Sequence, residues 1–171
     1  MANNGDNLSE VKIGNVSGGI HGSIIAGQDV SHATITVGGQ PMSAQDEPTP
    51  EQVKQALAEL KQALAELAAQ KEALAQVSPS APYTAQGAEA SVNAAAEQAE
   101  GEVGEDEAKS IQKSLEDATG LLGGLLDGAK TVAEKATDVG RAVKPIAEKL
   151  EPVVEKLAVV VFWVGRLWLG A

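Results

Sequence analysis

The chain of 171 residues has no cysteine, which rules out disulfide staples, thiolate nucleophiles and thiolate-bound metals. Aromatic side chains are almost as scarce, at 2%. Tyr83 stands alone, while Phe162, Trp163 and Trp168 crowd into the final ten residues. Bases are outnumbered, with 13 Lys and Arg against 24 Asp and Glu and a net charge of −11. That balance argues against nucleic acid as a partner, because phosphate neutralisation needs clustered Lys and Arg. The first residues lack the basic, apolar and cleavable pattern of a signal peptide, so cytoplasmic synthesis is the expectation.

Catalytic signatures are missing too. His21 and His32 are the only histidines, and neither has a partner at metal-ligand spacing. Ser23 follows Gly22 without a nucleophile elbow around it. Residues 123–131 read GGLLDGAKT, one residue away from a phosphate-binding loop, but Ala129 stands where the Lys belongs and no strand precedes it. The expectation is therefore a protein that is not an enzyme and that holds no cofactor and no metal.

What is present is uneven. Residues 86–107 carry seven acids and no base, whereas the stretch from Arg141 onward has five bases against three acids. An acidic waist thus separates a polar N-terminal part from an apolar, mildly basic end. Residues 1–10 read as a mobile N-terminus. Residues 11–39 read as a Gly-rich module of short strands, with seven glycines within residues 14–39. Val11 and Ile13 alternate about Lys12, and Ala33, Ile35 and Val37 alternate with Thr34 and Thr36, as on strands with one buried face. Ile20 and Ile24 lie between them, and Ile20, Ile24, Ile35 and Val37 join Val11, Ile13, Gly14 and Asn15 as candidate self-association residues. Strands this short are marginal alone in water, so they must pack on the rest of the chain or on another copy.

Residues 40–50 read as a linker, and residues 51–171 as a bundle of helices. Thr49, Pro50 and Gln52 form the start signal of the first helix, a capping box with Pro at the first position. The heptapeptide KQALAEL occurs twice in succession, at 54–60 and 61–67. Its leucines, Leu57, Leu60, Leu64 and Leu67, fall on one stripe with Leu74 seven residues further on, suited to packing within a bundle. This helix is expected to run to Val77 and a second to occupy 85–100. A third is expected from Glu105 toward Leu122, broken by a Gly-rich interruption. A helical period resumes at Val132–Val143, and Pro145 is expected to open the last helix. The fold class is mainly α, an antiparallel bundle of four to five helices with a short Gly-rich β module in front.

Two segments invite a membrane reading. Gly120, Gly124 and Gly128 recur at i, i+4, i+8, a spacing that lets helix backbones approach closely in lipid. The same spacing suits a tight crossing or a hinge inside a soluble bundle. The terminal stretch LAVVVFWVGRLWLGA places Phe162, Trp163 and Trp168 around a single Arg166. Its 15 residues reach only about 22 Å as a helix, short of a span. An interfacial helix fits it, and so does the surrounded helix of a bundle.

Val11, Lys12, Ile13 and Gly14, followed by Asn15, resemble the core of the RIP homotypic interaction motif and of related amyloid-signalling motifs. Lys12 occupies the place of Gln in that pattern. The wider layout resembles bacterial amyloid-signalling proteins in which a β strip is joined to a HeLo-like helical domain. The resemblance implies self-association through Val11, Ile13, Gly14 and Asn15, a homo-oligomer, a partner protein sharing a similar β motif, and membrane perturbation by the helical domain. Three functions follow as expectations. The first is an assembly-dependent effector, cytoplasmic at rest and membrane-associated on activation. The others are a soluble scaffold or regulatory protein binding another protein, and a structural self-assembling subunit.

Overall fold

The structure is a computed structural model and describes residues 33–170. Val11, Ile13, Gly14, Asn15, Ile20 and Ile24 lie outside the described residues.

Two strands, β1 (Thr34–Val37) and β2 (Gln40–Ser43), form an antiparallel hairpin. Its two-residue turn is Gly38-Gly39 with φ of 59° and 83°, a left-handed pair that only glycine adopts readily and that matches the twist of the flanking strands. The boundary drawn at residue 39 from sequence therefore cuts a hairpin in half. Four residues of the expected linker are β2, and Pro41 hides the strand pattern there. Ile35, Val37 and Met42 are buried under the hairpin, while Thr34, Thr36, Gln40 and Pro41 face outward.

Five helices follow: α1 (Pro50–Ala68), α2 (Lys71–Val77), α3 (Ala81–Glu100), α4 (Glu105–Ala133) and α5 (Asp138–Trp168). The long ones pack in the ring α1–α3–α4–α5, and α5 closes back on α1. Short α2 leans on α5, α3 and α4. The protein is thus a mainly helical antiparallel bundle with a small β module. The expected capping box is made: the Gln52 N–H donates to Thr49 Oγ1 at 3.2 Å, and the Thr49 N–H to Gln52 Oε1 at 2.8 Å. Leu57, Leu60, Leu64, Leu67 and Leu74 are all buried. Across the ring, α3 presents Ala85, Ala88, Val92, Ala95 and Ala99 at 3- and 4-residue steps, small side chains that let its neighbours come close.

Three expected boundaries move. The first helix stops at Ala68 rather than Val77, and Gln70 turns the chain (φ −87°, ψ 53°) into α2 without Gly or Pro. The Gly-rich interruption is absent, since α4 runs unbroken through Gly120, Gly123, Gly124 and Gly128. Each internal Gly costs a helix about 1 kcal/mol against Ala. Burying Leu122, Leu125 and Leu126 returns about 1.5–3 kcal/mol apiece, so packing outweighs propensity. Likewise α5 begins at Asp138 and passes through both Pro145 and Pro152. Each internal Pro forfeits one ladder bond, at about 3 kcal/mol. Thirteen buried residues, from Gly140 to Gly165, hold that helix against the ring.

The true break falls at residues 134–137, where Thr137 caps α5 by accepting from the Gly140 N–H at 3.0 Å. A Cβ on Gly140 would lie 2.1 Å from the Lys135 carbonyl oxygen, so only glycine lets the corner close.

Candidate functional site

The short α3–α4 and α4–α5 connections make neighbouring helices antiparallel. One end of the bundle therefore collects the start of α1, the end of α3, the start of α4 and the end of α5. The acidic waist lands there: Glu97, Glu100 and Glu102 precede Glu105, Asp106 and Glu107, which occupy the first turn of α4. Acids suit that position, where unpaired backbone N–H groups point outward. Lys109 bonds Glu105 at 2.6 Å and holds its carboxyl below the usual value.

At the same end α5 becomes apolar on every face. Leu157, Val159, Val160, Trp163, Val164 and Gly165 are buried, and only Phe162 is appreciably exposed, at 39%. Of the two sequence readings, the described state is that of a surrounded helix. Trp163 is fully buried and its Nε1 has no hydrogen-bond partner. An unmet buried donor costs about 1–3 kcal/mol, so the core is tight but not fully satisfied at that point. Trp168 is half-buried at the rim.

The hairpin lies against this end of α5. Ile35, Val37, Met42 and Ala44 belong to the same apolar cluster as Val160, Trp163 and Val164. Lys156 on α5 donates to the Thr36 carbonyl at 2.7 Å and pairs with the Glu59 carboxylate of α1. Glu59 also accepts the Gly38 N–H at 2.7 Å and Gln55 Nε2 at 2.9 Å. Burial pushes the Glu59 carboxyl up, but the bonds from Lys156, Gln55 and Gly38 outweigh it and leave it below its ordinary value of 4.5. Ten residues along α5, Arg166 donates to the Gln45 carbonyl at 3.0 Å and lies 3.8 Å from the Glu47 carboxylate.

The free rim of β2 is closed to further strands. The Val37–Gln40 pair beside the turn is hydrogen-bonded across the ladder, so Pro41 and Ser43 direct their backbone groups outward. Pro41 has no N–H, and the Ser43 N–H is taken by Asp46 Oδ2 at 2.6 Å. Such blocking is how exposed edges avoid pairing with other chains.

Beyond the hairpin tip the α1–α5 seam is uncovered and forms a cleft of about 420 Å³, floored by Leu60, Ala63, Leu67, Pro152 and Val153. Glu66, Glu148 and Lys149 stand at its sides.

Of the sequence candidates, Ile35, Val37, Phe162, Trp163, Arg166 and Trp168 are gathered at one end of the bundle. The glycine stripe is elsewhere. Gly120 and Gly124 face solvent, where an added Cβ would meet nothing within 4 Å. Gly128 approaches Val77 of α2, with an added Cβ at 3.4 Å. The stripe thus makes no tight crossing at its first two positions. Lys156 and Glu59, 97 positions apart, were invisible as a pair in the sequence.

Among the described residues, no group of three or more His, Asp or Glu side chains could hold a metal ion, and no helix is long and apolar enough to cross a membrane. The chain matches no family model, no curated protein and no solved structure.

Proposed function

We propose that the protein is a non-enzymatic, assembly-dependent effector whose helical bundle engages a membrane surface through the C-terminal half of α5. In this reading the protein is made in the cytoplasm and rests as a closed bundle. Its N-terminal segment, through Val11, Ile13, Gly14 and Asn15, associates with other copies or with a partner bearing a similar β motif. Bundles brought together then open and present Phe162, Trp163 and Trp168 to lipid.

The observation that carries the reading is the end of α5. It is apolar all round yet too short to span a bilayer, and it holds a tryptophan whose N–H finds no partner in the core. At a lipid interface the ring would lie among acyl chains with its N–H in the wet headgroup layer. Arg166 would reach outward from the same depth. The acidic corner supports a soluble resting state, since it shares the end that must approach the lipid and is repelled by anionic headgroups.

Vesicle co-sedimentation and dye leakage test this. The assembled full-length chain is expected to bind and permeabilise phosphatidylglycerol vesicles. A chain that does neither, assembled or not, removes the membrane step. The α1–α5 cleft favours a second reading, a scaffold that binds an apolar segment of another protein. That reading predicts loss of the partner on Ala63→Trp, which would fill the cleft, with vesicle behaviour unchanged.

A further inference from the structure

The two cations on the apolar end of α5 are not free surface charges. Both reach across to the hairpin segment, and both bond backbone carbonyls of it: Lys156 that of Thr36, and Arg166 that of Gln45. Bonds to carbonyls fasten the strand itself, whatever side chains it carries. The anchors are ten residues apart on α5, about 15 Å along the helix. They hold the hairpin segment at two places, Thr36 beside its tip and Gln45 in the turn just past β2. Buried Val159, Val160, Trp163 and Val164 fall between the same two anchors.

Lys156 is the deeper fastening, with a side chain only 16% exposed. Glu59 joins it to α1 and to the turn at Gly38, so a single ion pair ties the hairpin tip to both helices of the seam. Arg166 is the shallower one, at 37%. A two-stranded hairpin is marginal alone, so this one keeps its shape only while seated. The free rim of β2 is blocked by Pro41 and Asp46, which suits an element that closes on its own bundle rather than one that recruits strands there.

We propose that the hairpin and the loop after it are a clasp, fastened by Lys156 and Arg166, that keeps the apolar end of α5 inside the bundle and frees it on release. What the freed end then does rests on the membrane reading above, whereas the clasp itself does not.

The chain supplies its own reporter, because both of its tryptophans sit on this end. Replacing Trp168 with Phe leaves Trp163 as the sole signal. In that background K156M/R166Q is compared with the conservative pair K156R/R166K. Release predicts at least a threefold rise in acrylamide quenching of Trp163 and at least tenfold faster exchange of the Ile35 and Val37 amides, with the far-ultraviolet helix signal retained. K156R/R166K should stay closed. Faster hairpin exchange with Trp163 still shielded overturns the clasp, and so does no change in either.

Should K156M/R166Q lose its helix signal, R166Q alone decides. It removes only the shallower fastening, so Trp163 quenching must still rise, and no rise overturns the proposal. Phosphatidylglycerol vesicles separate the two ideas. An opened variant that exposes Trp163 and ignores the vesicles leaves the clasp standing and removes the membrane reading. A variant with Trp163 shielded removes the clasp, whether or not it binds.

Discussion

The glycine segment of α4 and the aromatic end of α5 look alike in sequence, for both are apolar, poor in charge and suggestive of lipid. The bundle treats them in opposite ways. In α4 Leu122, Leu125 and Leu126 turn inward, while Leu121, Gly120 and Gly124 are left exposed. In α5 the apolar residues have neighbours on nearly every face, because α1, α4 and the hairpin surround it. Gly120 and Gly124, on an exposed face, have no packing role in the resting bundle. A ring of Val, Leu and Trp under a hairpin is the core itself. Whether an apolar segment reads as a surface or a centre depends on how many elements pack around it, and local composition does not report that number.

The contrast can be broken by substitution, beginning with the largest effect. Trp163→Ala should cost about 3–5 kcal/mol, as for other buried aromatic truncations, measured by urea unfolding. A loss below about 1 kcal/mol would mean that the end of α5 is not core. Next, Glu59→Gln should cost about 1.5 kcal/mol, the low end for a bond to a charged group, and should loosen the hairpin before the helices.

The same carboxylate gives a pH signature. Its pKa is lowered in the folded protein from 4.5, so the fold favours the charged form. Its contribution is fully present above 4.5 and lost as pH falls from there through the folded value. The protection factors of the hairpin amides, from which the pH dependence of intrinsic exchange is divided out, should therefore fall in acid in the parent chain but not in Glu59→Gln, and an equal fall in both would reassign the effect. Smallest, Gly120→Ala and Gly124→Ala should each raise stability by about 0.5–1 kcal/mol, since the added methyl meets open space and helix propensity improves. A loss at either site would show a close neighbour there and erase the contrast with α5.

Sequence reasoning reached the parts of this protein that are governed locally. Thr49 and Gln52 announce a capping box within four residues, and the doubled KQALAEL places four leucines on one face. Ile35 and Val37 alternate with threonines, which is enough to predict a strand with a buried side. It failed where tertiary packing overrides a local preference. Pro145 reads as the start of the last helix, yet α5 begins at Asp138 and absorbs it because its buried stripe runs through it. The four glycines of α4 read as an interruption for the same reason. The break at Ala69–Gln70 carries no breaker residue at all. At the end of α5, Phe162, Trp163 and Trp168, with Arg166 among them, could be singled out because the chain is otherwise poor in aromatics. Their cover could not be foreseen, since Lys156 with Thr36 and Glu59, and Arg166 with Gln45, join residues that only the fold brings together. Gly140 looked like any other glycine until its contact with Lys135 showed that nothing larger fits.

The proposed membrane role requires that the end of α5, buried at rest, meet lipid when it is freed. The direct measurement is the fluorescence of Trp163, as the only tryptophan, in phosphatidylglycerol vesicles containing lipids brominated along the acyl chain, with the hairpin fastened and with Lys156 and Arg166 replaced. No bromine quenching is expected in the fastened chain, and strong quenching with a blue-shifted emission once the fastenings are gone. A Trp163 that becomes open to aqueous acrylamide but is untouched by the brominated chains would contradict that role.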